Sequence, residues 1–216
     1  MNNFWINRLK LTITLLALVN LASCGGGGKS GSSSAPPARV LSIVAAVGTP
    51  IVNGNIDVIC ATGSAISTST SGAGTVQVTL SGQTLPCAVR LWGGTINGIA
   101  NMTHFHSIAT AAGNVNVTPL TDLLVANLAG TATPSSWFSG LSATPAPLAA
   151  ITQYRVDAAA VKLGIALSGL TTLSAVHPVT TAFTPTAGDP SDDMLTALAT
   201  AMTNTGVTHS ALLSNA

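Results

Sequence analysis

The chain has 216 residues, of which 6% are charged and none is Glu. With a leader carrying Arg8 and Lys10 set aside, five basic residues face six Asp, a net charge of about −1. That balance excludes an electrostatic footprint for nucleic acid or an anionic membrane surface, and so few ionisable side chains leave little material for acid–base catalysis.

Residues 1–23 have the layout of a secretory leader. Arg8 and Lys10 supply its positive start, and Leu11 to Leu21 its apolar run, broken by Thr12, Thr14 and Asn20. A run of about 11 residues is too short to cross a roughly 30 Å hydrocarbon core as a helix, so a cleaved leader is expected. The four residues Leu21-Ala22-Ser23-Cys24 resemble the bacterial lipobox at every position. That resemblance implies a diacylglycerol on the Cys24 thiol, cleavage before it and acylation of the new amine. The alternative is an ordinary leader cut nearby, with Cys24 incidental. At roughly 0.8 kcal/mol per buried CH₂, two or three acyl chains hold a protein where one would not. The membrane is thus an expected partner, through the lipid. Gly25 offers no Asp-type inner-membrane retention signal, so by analogy with enteric sorting the outer membrane is the expected location. Residues 24–37 comprise the lipidated cysteine and a Gly/Ser/Pro tether; its thirteen residues after Cys24 span about 20 Å r.m.s..

Residues 38–117 show short β-type runs with turn punctuation at intervals near ten residues. The runs are Val40–Ala46, Ile56–Ala61, Ala65–Thr70, Thr75–Leu80, Cys87–Trp92, Met102–Ala109 and Asn114–Val117. In Thr75–Leu80, Val76, Val78 and Leu80 alternate with polar residues, the pattern of a half-buried strand. About seven such strands predict a two-sheet sandwich, Ig-like or transthyretin-like. Once Cys24 is acylated, Cys60 and Cys87 remain, and an even pair in an exported chain predicts a disulfide.

At residue 118 the period changes, and 118–216 reads as a helical region packed on the sandwich. Thr118-Pro119 is an N-cap followed by Pro at the first helical position. Leu120, Leu123, Leu124 and Leu128 share a face, and Gly130 ends the helix. A second helix is predicted over Ala146–Leu163, with Leu148, Ile151, Tyr154, Ala158 and Val161 as its apolar stripe and Gly164 as its stop. A third begins at Asp189-Pro190, where three Asp suit the positive end of the helix dipole; Leu195, Leu198 and Met202 form its stripe. Trp137-Phe138 is expected to pack between elements.

The order Cys60, a Thr/Ser strand, a Gly turn, Leu85-Pro86-Cys87, His106-Ser107-Ile108-Ala109 and Asn116-Val117-Thr118-Pro119-Leu120-Thr121-Asp122-Leu123 resembles a group of uncharacterised β-proteobacterial lipoproteins. Their N-terminal half is similar to the carboxypeptidase-regulatory-like, transthyretin-like or Ig-like sandwich. The likeness runs over about residues 38–130, and more loosely through Phe183-Thr184-Pro185 to Gly188-Asp189-Pro190. It implies an exported lipoprotein with a helical tail and brings no catalytic residues with it. The chain ends soon after Gly206, so no further C-terminal domain is expected.

Candidate chemistry is sparse. His104 and His106, one residue apart on a predicted strand, share a face and are weak candidates for a metal site; no acid lies near them in sequence, and His106 and His104 read equally as solvent-facing or hydrogen-bonded side chains flanking buried Phe105. His209 falls near the frayed C-terminus. No Gly-x-Ser-x-Gly elbow supports nucleophilic catalysis, and adjacent Asp192 and Asp193 diverge on a helix. Trp92 is a weak candidate for sugar stacking, reading more simply as a core or rim residue. The expectation is a non-catalytic structural or interaction protein without cofactor, with an envelope protein or a glycan as partner; a carbohydrate- or peptide-binding module is the alternative and a cryptic hydrolase the third reading.

Overall fold

The computed structural model describes residues 38–169 and 176–216, all within one compact unit, Pro37–Ala216. The leader, Cys24 and the tether, on which the anchoring expectation rests, lie outside the described residues. Among the described residues, no helix is long and apolar enough to cross a membrane.

The chain is β-rich first and helical afterwards. Strands β1 (Arg39–Ala45), β4 (Thr75–Leu80) and β9 (Gly113–Val117) form one sheet in the order β4-β1-β9, with β1 and β9 parallel. Strands β2 (Asn55–Thr62), β3 (Ile66–Ser69), β5 (Thr84–Trp92) and β8 (Phe105–Ala109) form a second, antiparallel sheet in the order β3-β2-β5-β8. The short pair β6 (Thr95–Ile96) and β7 (Ile99–Ala100) interrupts the run to β8; two-residue strands leave no periodic signal, and the sequence reading has a loop there. The turn that leads into β6 depends on Gly94, whose φ is 76° and where a Cβ would stand 2.6 Å from the Gly54 nitrogen, so only glycine fits.

Both sheets contribute to one apolar cluster. Leu41, Ile43, Val78, Leu80, Val115 and Val117 come from the first, and Ile56, Val58, Val89, Leu91 and Phe105 from the second. Cys60 and Cys87 lie directly opposite on β2 and β5 and are disulfide-bonded within this cluster.

The second sheet is covered on its other face too. Ile59, Ala88 and Ile108, the alternate residues of β2, β5 and β8, pack on helices α1 (Pro119–Ala129), α2 (Pro134–Leu141), α3 (Ala146–Ala149) and α4 (Gln153–Ala166) through Leu124, Val125, Phe138, Leu141, Leu148 and Val156. This explains why all five residues of β8 are buried: neighbouring residues enter different cores. A third cluster joins Ala46 and Leu120 to Leu195 and Leu198 of α5 (Pro190–Thr205), with Leu212 of α6 (His209–Leu213) at its edge. All three clusters and the disulfide lie within the one unit, which therefore carries its own core.

Helix α1 begins as the sequence indicates. Thr118 accepts from the Thr121 N–H, the Thr121 hydroxyl reciprocates, Pro119 follows, and Gly130 closes the end with φ 62°. Eight of its eleven residues are buried, more than the single leucine face predicted, because it lies between the sheet, α2, α4 and α6. Asp189 caps α5 and Gly206 ends it. The predicted helix 146–163 needs correction. It is two helices, since Thr152 starts a new one by accepting from the Arg155 N–H. Leu148 and Ile151 of the predicted stripe are buried, but within α4 the stripe is rotated: Tyr154 and Val161 are exposed, as is Ile165, while Val156 and Ala159 are buried against α1's surroundings. The small Ala159 permits close approach, and α4 runs past Gly164 to Ala166.

Candidate functional site

Strand alternation carries polar residues under the helices. On β2, β5 and β8, Asp57, Arg90 and His106 are register partners across the sheet and stand on the helical face. Arg90 Nη2 donates to Asp57 Oδ2 at 2.8 Å, and its guanidinium lies 4.7 Å from the centre of the Phe138 ring. His106, with its ring centroid 5.8 Å from that of Phe138, meets α1.

There it finds Asp122. His106 Nδ1 donates to Asp122 Oδ1 at 2.7 Å, and the His106 backbone N–H donates to the same oxygen at 3.2 Å. The other oxygen, Oδ2, accepts from His209 Nε2 of α6 at 2.8 Å. Asp122 and His106 are each 1% exposed, and His209 is largely covered, edge-on to Phe105. Burial alone would push the Asp122 carboxyl up. The hydrogen bonds from both imidazoles, and their charge when protonated, outweigh it and hold the group below the ordinary carboxylate value. The bonded nitrogens leave His106 Nε2 and His209 Nδ1 buried without a hydrogen-bond partner.

A cleft of about 550 Å³ opens over this cluster, walled by His104, His106, Asp122 and His209 and by Ser135, Ser136 and Ser210. Thr133 precedes α2 without making a side-chain cap. His104 sits just before β8, exposed at the rim. Burial lowers its pKa, and the positive charges of Arg90 and His106 lower it further against the opposing pull of Asp122.

Of its two readings, His106 takes the hydrogen-bonded one beside buried Phe105, its partner an acid 16 residues away. Two other expectations change here. His209 does not fray but is pinned at the start of α6. The acid that seemed missing is Asp122, which the sequence reading absorbs into a leucine-rich helix. A lone charge immediately before the consecutive apolar residues Leu123–Ala126 is the signal that finds it, since a helix buried all round must partner its charges. Among the described residues, no three His, Cys or carboxylate groups gather in an arrangement that could hold a metal ion.

Trp92 stands at the end of β5, 40% exposed, its indole N–H donating to Asp57 Oδ2 at 2.9 Å. It is a rim residue with polar neighbours. Burial raises the Asp57 carboxyl, but bonds from Arg90, Ser67 and Trp92 and the Arg90 charge bring it below its ordinary value. Comparison with known proteins finds no matching family model, curated protein or solved structure.

Proposed function

We propose that the chain is a lipid-anchored cell-envelope protein, held by Cys24 in the outer membrane, whose folded unit is a non-catalytic interaction module. The β-rich half is read as an Ig-like or transthyretin-like sandwich, a reading supported by two sheets that share one apolar cluster. Anchoring rests on the Leu21–Cys24 arrangement and the tether after it. The observation that carries the interaction role is the cleft over His106, Asp122 and His209. It has converging polar groups, yet among the described residues no serine hydroxyl hydrogen-bonds to either imidazole, as an activated nucleophile requires.

The test is in two parts. Mass spectrometry of the mature N-terminus should find a lipidated Cys24, and Cys24→Ser should release the protein from membranes; an unlipidated wild-type chain beginning elsewhere would contradict the anchor. Soluble glycan and peptide fragments, followed by imidazole chemical shifts, should perturb His106 and His209 without turnover. Hydrolysis of ester or peptide probes that disappears in His106→Gln would contradict the non-catalytic role. A second reading, carbohydrate binding at Trp92, is favoured by the exposure of that indole beside Asp57.

A further inference from the structure

A second depression adjoins the histidine cleft. It measures about 460 Å³ and is lined by Phe105, Leu195, Leu198, Ala199, Met202 and Val207, with Thr103 and His209 common to both walls. His209 therefore stands between a polar chamber and an apolar one.

The polar chamber is suited to an anion. Asp122 turns both oxygens to the two imidazoles, so its charge is already engaged. Each imidazole, when protonated, carries one further N–H, at His106 Nε2 and His209 Nδ1, neither of which has a hydrogen-bond partner among the described residues. In that doubly protonated form the two rings and one carboxylate leave one positive charge, which an incoming monoanion balances. Hydroxyls of Ser135 and Ser136 stand in the same wall, at the first turn of α2. The charged groups that face the cluster are Arg90 from β5, itself paired with Asp57, together with His104 at the rim and Asp122 from α1.

The apolar chamber is lined by no charged residue beyond His209. Its walls are mostly aliphatic, with the Phe105 ring and the side chains of Thr103 and Thr203, and a tail laid there leaves water at roughly 0.8 kcal/mol per CH₂. We propose that the two chambers together bind an aliphatic monocarboxylate, with the carboxylate at His106, His209 and His104 and the tail along α5. The inference deepens the reading of the cleft as a binding site and rests on it.

Calorimetric titration of the unit 37–216 with sodium butanoate, hexanoate and octanoate tests it. Affinity should tighten about fourfold per added methylene, and 1-octanol should bind at least tenfold more weakly than octanoate. Ala199→Trp, at an exposed position of α5 in the groove wall, should abolish the chain-length dependence while butanoate still binds. His209→Gln should weaken all three carboxylates by a similar factor. Equal binding of octanol and octanoate overturns the proposal, as does a chain-length dependence unchanged in Ala199→Trp. Silence to every carboxylate, with imidazole shifts still produced by glycan or peptide fragments, overturns this inference alone; silence to all of them overturns the binding reading of the cleft as well.

Discussion

The β-rich half and the helical half are held together by different means. Within the first, one apolar cluster between two sheets is fastened by the Cys60–Cys87 disulfide. The second half gains its order by docking. Its helices cover the outer face of the β3-β2-β5-β8 sheet, and the His106–Asp122–His209 cluster ties β8, α1 and α6 at one point. Asn116 supplies another tie, its side-chain amide donating to the Pro178 and Thr181 carbonyls at 3.0 and 2.8 Å. Apolar burial sets how much the halves attract; these directional polar bonds fix particular points at which they meet.

The largest expected effect breaks the polar tie. Asp122→Ala removes the carboxylate and leaves two buried imidazoles without their acceptor, at a cost of roughly 3–5 kcal/mol, read by denaturant unfolding. The same variant alters the pH profile. The folded pKa of Asp122 is depressed, so its contribution is complete above the unfolded value of about 3.8 and is lost as pH falls through the folded one. Asp192 has the opposite sign. Burial, then Asp189 and Asp193, raise its carboxyl, so its contribution holds in acid and fades as pH rises through the folded value. The loss of stability below about pH 3.8 should therefore be smaller in Asp122→Ala than in wild type; an unchanged acid limb would remove Asp122 from the account.

The next effect belongs to the β-rich half. Replacing Cys60 and Cys87 together by Ser opens a loop whose ends are 27 residues apart, worth roughly 3.5 kcal/mol in the loop-entropy description. Loss of stability should also follow addition of reductant to the wild type, with no thiol alkylated in the non-reduced denatured protein. If the halves fold as one unit, this change and Asp122→Ala lower a single transition; two separate transitions would show that the helical half docks on an independently folded partner.

These two regions also differ in how far the sequence reveals them. Thr75–Leu80 is legible to the residue because one face of β4 is buried and the other wet, so its alternation survives. Phe105–Ala109 has no wet face, and its alternation, Phe105 to one core and His106 to the other, is hidden in a wholly buried run. The starts of α1 and α5 are legible because capping is local chemistry: Thr118 with Thr121, and Asp189 with Ser191. The face of α4 is not, because Tyr154, Val161 and Ile165 make an equally regular stripe that tertiary contacts leave exposed. Of the candidate site, His104 and His106 are visible as a pair, while the partnership of His106 with Asp122 and His209 depends on contacts 16 and 87 residues apart along the chain.

Smaller effects sharpen the contrast at α1. Leu124→Ala, at a fully buried position in the cluster between the halves, should cost about 3 kcal/mol by thermal or denaturant unfolding. Thr118→Ala loses the side-chain cap that accepts from the Thr121 N–H at 3.2 Å and should cost about 1 kcal/mol. Should the cap variant be the more damaging, α1 is held by its end and not by its packing.

The most direct test of the central claim, that one buried carboxylate bonded to two imidazoles ties β8 to α1 and α6, is long-range ¹H–¹⁵N NMR of the histidine rings across pH. The account predicts a proton fixed on Nδ1 of His106 and on Nε2 of His209 wherever either ring is neutral, with both signals displaced in Asp122→Asn. A His209 ring with solvent-averaged tautomers, unmoved by that substitution, would contradict it.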